Sequence, residues 1–212
     1  MSLWTRNLTF KSNDLGHDAT LVLIFDKDIQ GIYRDTSQVC WKALEFPAQG
    51  QYSANATFQN QIAFVKPEVE GGVIVGASAY TFVGFGQQTT LTKDGNNAYK
   101  FSTPAVVMGL PGMKNGCPDS EDVAMGIAGS NPGAPPVPAL YFSDVPSKAL
   151  LNSQFNPDLS AYITSQYREG EIIRGQVSSP VIWNYNLARL RESTTWALTY
   201  DPATGQYMLT QE

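Results

Sequence analysis

The sequence predicts an all-β fold: a single-domain antiparallel β-sandwich with one long Pro/Gly-rich loop and minor helix. Three observations predict it. Charged residues make up only 16% of the 212, against the usual quarter; Thr, Asn, Gln, turn formers and aromatics replace them. Short apolar or alternating runs recur between tight-turn sequences, the rhythm of strands and hairpins. The segment 71–86 is a glycine-studded strand with apolar residues on both faces. A chain of this length is enough for one large β domain.

The first hundred residues predict strands at 4–10, 19–25, 39–46, 52–58, 61–66, 73–85, 89–92 and 98–102. Leu21-Val22-Leu23-Ile24-Phe25 is a continuous apolar run, too short for a stable lone helix, and reads as a fully buried strand. Within 73–85, strict alternation puts Val73, Val75, Ala77, Ala79, Val83 and Phe85 on one face. Ile74, Tyr80 and Phe82 take the other, where Gly76, Ser78, Gly84 and Gly86 leave gaps. Glycine inside a strand serves a bulge, a bend, or the close approach of a ligand or another backbone. Asp94-Gly95-Asn96-Asn97 tolerates positive φ and predicts a hairpin over 89–102.

Residues 104–138 change character. Pro104, Pro111, Pro118, Pro132, Pro135, Pro136 and Pro138 alternate with six glycines, which predicts a long loop of the functional or mobile kind. One short helix is expected inside it, capped by Asp119 with Glu121 and Asp122 in its first turn. A strand at 139–143 follows, then a short helix at 146–152 with Pro146 at its first position. A hairpin is expected from 162–167 and 171–177 through Arg168-Glu169-Gly170. A closing hairpin pairs 194–200 with 206–210 around Asp201-Pro202-Ala203-Thr204-Gly205. No repeat of fixed period points to a propeller or solenoid.

Net charge is -5 and the pI about 4.9. No Lys/Arg cluster accompanies them, which argues against nucleic acid and against electrostatic approach to an anionic membrane. No apolar run reaches the ~18 residues of a membrane helix, so no membrane span is expected. Residues 1–7 lack a basic stretch followed by an apolar one, so the expectation is a cytoplasmic protein. Cys40 and Cys117 allow one bridge at most, and reduced thiols are expected in that compartment.

Catalytic signatures are sparse. His17, the single histidine, stands with Asp14 and Asp18, an arrangement that resembles metal ligands or a base with its orienting acid; a polar loop before the strand at 19 is the plainer reading. One His and two distant Cys make a thin zinc inventory. There is no Gly-x-Ser-x-Gly elbow. Cys40 or Cys117 would need to approach His17 to act as a nucleophile. Asp26 and Asp28 flank Lys27, and Asp119, Glu121 and Asp122 cluster, without the spacing of a calcium loop. No carboxylate pair stands out for glycoside hydrolysis. No catalytic or metal residue is assigned, and no cofactor is required; a bound small organic chromophore is compatible.

The aromatics carry more. Most of Trp41, Tyr80, Phe82, Phe85, Trp183, Tyr185, Trp196 and Tyr200 are needed as core. A minority is available to line an apolar pocket with a few polar groups. The candidate ligand-binding residues are Gly76, Ser78, Tyr80, Phe82 and Gly84, with Trp183 and Tyr185 of Trp183-Asn184-Tyr185-Asn186. The leading expectation is non-enzymatic binding of a small aromatic or apolar ligand, closed off by the long loop. The alternatives are a carbohydrate-binding lectin, with Trp183 stacking on a sugar, and a hydrolase using His17 with a nearby Asp. Apolar strands with few edge charges also invite a homodimer.

In composition, length and strand–turn rhythm, the whole chain resembles the small, leaderless, acidic β-rich proteins of mushroom fruiting bodies. That group includes lectins, membrane-acting defence proteins and a pink pigment-carrying chromoprotein. The resemblance implies pigment or glycan binding; it rests on no motif and assigns no residue.

Overall fold

A computed structural model describes residues 3–27, 36–129, 133–152 and 155–212. The strands run β1 (Thr5–Asn13), β2 (Ala19–Phe25), β3 (Thr36–Phe46), β4 (Gln51–Gln59), β5 (Ile62–Glu70), β6 (Val73–Val83), β7 (Gln87–Lys93), β8 (Tyr99–Phe101) and β9 (Ala105–Val106). They continue as β10 (Gly112–Asn115), β11 (Glu121–Ile127), β12 (Val137–Val145), β13 (Leu150–Asn152), β14 (Asp158–Ile163), β15 (Ile172–Ile173), β16 (Val181–Asn186), β17 (Ser193–Asp201) and β18 (Gln206–Gln211). The only helical element among the described residues is a 3-10 turn at Leu187–Arg189.

Three sheets result. The largest has nine strands, ordered β16-β14-β2-β3-β12-β11-β5-β6 with β15 beside β3. A four-stranded sheet runs β18-β17-β1-β4, and a five-stranded sheet runs β13-β10-β7-β8 with β9 beside β7. Pairing among the described residues is antiparallel except for β1–β17 and β7–β10.

Burial explains how they stack. Leu21 through Phe25 are each fully buried, as a central strand covered on both faces requires. Leu21, Leu23 and Phe25 meet Phe10, Trp183 and Trp196 beneath the four-stranded sheet. Val22 and Ile24 turn the other way, to Cys40 and Ile173. The five-stranded sheet sets Leu91, Phe101, Met113 and Leu151 against Phe64, Val123, Met125 and Phe142. The architecture is therefore a sandwich whose second layer is split: two small sheets lie side by side on one face of the large one. Phe155 packs against both of their cores. Tyr167, Ile172, Ile173 and Val177 cover the opposite face.

Both expected turns at Asp94 and Asp201 form. Asp94 Oδ1 accepts the N–H groups of Asn96 and Ala98, and Gly205 takes φ +71°. Several other expectations are corrected. The stretch 104–138 is not one loop with a helix; it supplies β9, β10, β11 and the start of β12. In β11, Val123, Met125 and Ile127 keep a period of two that puts all three on one buried face, where a helix would spread them around a cylinder. The acids read as a helix start have other partners. Glu121 pairs with Lys66, Asp122 Oδ1 accepts the Asp144 N–H, and the Asp119 carbonyl accepts from Asn115.

The expected helix at 146–152 is a turn leading into β13, because Lys148 and Ala149 bond across to the backbone of Asn115. The expected hairpin of 162–177 does not form. β14 pairs with β2 and β16, while β15 pairs with β3, and Gly170 joins Cys40 and Ile74. The strict alternation in β6 also fails. Two register shifts against β5 leave Val73 and Ile74 both buried and Val75 exposed. Pro132 and Asp28 lie outside the described residues.

Candidate ligand pocket

Where the two small sheets meet, a cavity of about 570 Å³ opens. Element ends build it. Trp4 precedes β1, and its N–H donates to Asn60 Oδ1 at 2.7 Å while its carbonyl accepts the Asn60 N–H at 3.1 Å. These bonds fasten the indole beside the β4–β5 turn, 5.2 Å from the Phe58 ring. The Arg6 guanidinium covers the indole at 4.4 Å and donates to the Leu187 carbonyl at 3.0 Å. Phe155 stacks on Phe58 at 6.3 Å, forming the floor where the two cores join. The opposite wall is the end of β6 and its turn, Phe82 to Gln87, with Pro111 beside it.

That turn is shaped by glycine. The Gly84 N–H donates to Gln87 Oε1 at 2.8 Å. Gly86 takes φ +70°, and a Cβ there would lie 3.3 Å from the Val107 carbonyl; the Val107 N–H instead reaches Gly86 O at 2.7 Å. None of the sixteen lining residues is an acid, a base, a Cys or a Tyr. The walls offer aromatic and aliphatic surface with the amides of Asn60, Gln61, Gln87 and Asn156, suited to holding an apolar molecule rather than moving protons.

Of the residues singled out from sequence, Phe82 and Gly84 line this cavity. Gly76, Ser78 and Tyr80 lie further along β6. Ser78 Oγ donates to Glu68 Oε1 at 3.0 Å, and a Cβ on Gly76 would sit 2.7 Å from Glu68 Oε2, so those small residues make room for a glutamate. Tyr80 stands half-exposed, edge-on to Phe82. Trp183 and Tyr185 belong to β16, at the far edge of the nine-stranded sheet from β6. Trp183 is buried and meets Trp196 at 5.0 Å, which removes it as a sugar-stacking surface. Tyr185 is 43% exposed and leans on both indoles.

The other chemical candidates occupy structural positions. Asp14 Oδ1 accepts the Gly50 N–H at 2.7 Å and Asp18 Oδ1 accepts the Ala48 N–H at 2.8 Å, clasping two turns together. His17 packs edge-on against Tyr200 at 5.1 Å. Asp26 accepts from Ser160 Oγ and Asn184 Nδ2. Cys40 and Cys117 are free and buried in different cores. Burial pushes the Cys40 thiol up to about 12, with Glu169 and Glu171 adding to it, and burial also raises Cys117. Both are therefore weak nucleophiles near neutral pH. Among the described residues no group of three His, Cys, Asp or Glu side chains is placed to hold a metal ion.

A second, more polar groove of about 640 Å³ lies on the four-stranded sheet, lined by Lys11, Asn13, Gln51, Tyr52, Ser53, Thr199 and Glu212 among others. Sequence reading did not select Trp4, Phe58, Ile62 or Phe155. Each is one apolar residue at the end of a different element, and no local pattern marks it. No protein-family model, curated protein or solved structure matches this chain.

Proposed function

We propose that this protein binds a small aromatic or apolar molecule, without transforming it, in the cavity between its two small sheets. One observation carries the reading: a cavity of about 570 Å³ walled by Trp4, Phe58, Phe82, Phe85 and Phe155 with no ionisable side chain. Its size falls in the range of small-molecule pockets, and a few amides among aromatics give such a pocket its orientation specificity. A pigment is one ligand of this class. Native mass spectrometry with a visible absorption spectrum on the same sample tests for a ligand carried through purification.

The placement is tested with Nile red, a neutral apolar fluorophore, and Gly84→Trp. A Cβ at Gly84 meets the Gln87 amide at 3.1 Å, so an indole there displaces that amide and fills the mouth. Binding should weaken at least about tenfold while the melting temperature holds. Equal binding by a folded variant refutes the placement.

A second reading, glycan binding, is favoured by the polar groove. Tyr52, 46% exposed, offers a ring face there beside Asn13, Gln51, Ser53 and Thr199. A glycan array with wild type and Tyr52→Ala tests it: signals that the variant loses support it, and a silent array removes it.

A further inference from the structure

We propose that the pocket end of the five-stranded sheet docks on an anionic lipid bilayer. Residues 101–113 contain no ionisable side chain. Within them Val106 is 86% and Met108 103% exposed, and across the turn Phe85 is 62% and Leu3 72% exposed. Single exposed apolar residues are ordinary, but several gathered in one patch mark an interaction surface. The backbone beneath them is held in place. Val106 pairs with Gln87, and the Val107 N–H donates to Gly86 O at 2.7 Å, so the tip is presented on a paired strand.

The charge of the whole chain argues against an anionic membrane, but the charge around this tip argues for one. Segments 87–115 and 146–152, which hold all five strands of the sheet, contain Lys93, Lys100, Lys114 and Lys148 against one acid, Asp94, in a chain of net charge -5. Asp119 and Glu121 lie close to Lys93, so the basic excess of the sheet rests on Lys100, Lys114 and Lys148, all exposed, on an otherwise acidic protein. Charges farther away than a Debye length of about 8 Å contribute little at such a surface, so the local excess of lysine outweighs the net charge. Lys100 and Lys114 are exposed, and the register sets them back from the tip. Gly112 pairs with Gln88, Lys114 with Thr90, and Lys100 with Thr92. At about 3.4 Å per residue, Lys114 and Lys100 lie roughly 10 and 17 Å behind the Gln87–Val106 rung that carries the tip. An apolar element lodged about 5–10 Å into the headgroup–acyl boundary then brings both ammonium groups to phosphate level, with their stems free to snorkel. A second copy of this chain would instead set the same cations against each other.

No helix among the described residues is long and apolar enough to cross a membrane; the contact is peripheral. Phe85 and Leu3 line the pocket as well, so the mouth opens on the docking face. The docking itself does not depend on what the pocket holds.

Flotation with vesicles of phosphatidylcholine, with and without about 30% phosphatidylserine, tests the proposal. The protein should float with the anionic vesicles and lose that association in high salt. Val106→Asp/Met108→Asp should reduce partitioning at least about tenfold, and Lys100→Glu/Lys114→Glu should reduce it too. All four positions are exposed, so a melting curve confirms that each variant folds. Wild type that stays unbound to anionic vesicles overturns the proposal, as does a double aspartate variant that floats equally well. So does a vesicle-indifferent dimer that Met108→Asp converts to monomer, which would assign the patch to self-association. Nile red binding is read separately, so pocket and docking surface fail or hold independently.

Discussion

Removing one member of the buried pair Lys66–Glu121 should destabilise the protein far more than removing both. Lys66 Nζ lies 2.8 Å from Glu121 Oε2, and the two residues are only 9% and 7% exposed. Tyr99 of the five-stranded sheet donates its hydroxyl to the Glu121 carboxylate, 3.0 and 2.9 Å from its two oxygens. Lys66 also donates to the Asp122 carbonyl at 3.1 Å and lies 4.8 Å from the centre of the Tyr99 ring. At an effective dielectric of about 20, attraction at the observed separation is roughly 6 kcal/mol. Desolvation costs several kcal/mol per ion, so the intact pair comes out near balance. Glu121→Leu or Lys66→Met alone keeps one ion's desolvation without the attraction and should cost about 3–5 kcal/mol. The double variant should fall within roughly 2 kcal/mol of wild type. Urea unfolding gives each value as a shift in midpoint at constant slope, and the four proteins complete a double-mutant cycle. Single variants that cost less than about 1 kcal/mol, the behaviour of an exposed pair, would refute the argument, and so would strict additivity.

Burial holds the Cys40 thiol protonated up to about 12, while an unhindered thiol ionises at 9.0. Between those values the unfolded chain binds fewer protons than the folded one, so stability falls as pH rises, by at most about 1.4 kcal/mol per pH unit. Urea midpoints at pH 8.5 to 11 should show this slope, reduced in Cys40→Ala. Gly170→Ala should cost about 1–3 kcal/mol, because Gly170 has φ +83° and a Cβ would lie 2.8 Å from the Ile74 carbonyl; Gly175→Ala, with open space around it, is the near-neutral control in thermal melts. Asn115 is fully buried; it donates to the carbonyls of Asp119 and Val145 and accepts the Cys117 N–H. Asn115→Ala removes the partner of two buried backbone groups, the Val145 carbonyl and the Cys117 N–H, at about 1–3 kcal/mol each, and calorimetry should find it more damaging than Gly170→Ala.

Local chemistry was legible where it decided the outcome. Leu21–Phe25 reads as a buried strand because five apolar residues in a row suit only a position covered on both faces. The segments at Asp94 and Asp201 read as turns because their Asp, Asn, Pro and Gly residues suit turn backbone, and the Asp side chains bond within the turn as formed. The segment 104–138 misled because its prolines and glycines punctuate short strands rather than fill a loop. Glu121 and Asp122 resembled a helix start, while their partners Lys66 and Asp144 lie elsewhere in the chain, where a local reading cannot find them. The pocket divides the same way. Phe82 and Gly84 were visible as a strand end with room beside it. Trp4, Phe58 and Phe155 meet only because two small sheets abut over a third. Trp183 alternates with Asn184 and Asn186 like a surface strand, yet pairing of β16 with β14 turns its indole into the core.

The parallel ladder between β1 and β17, which joins Asn7 to Ser193, bears on how the protein is made. Roughly 180 residues separate the two strands, and at about 5–20 residues per second synthesis of that stretch takes roughly 10–40 s. β4 can pair with β1 early, since they are near in sequence, but Leu8 and Phe10 must wait for Trp196 and Leu198 to complete the layer above them. During that interval the nascent chain presents an apolar strand edge. It is a natural client for a ribosome-associated chaperone, and translation that stalls before residue 193 should yield an aggregating fragment rather than a smaller folded one.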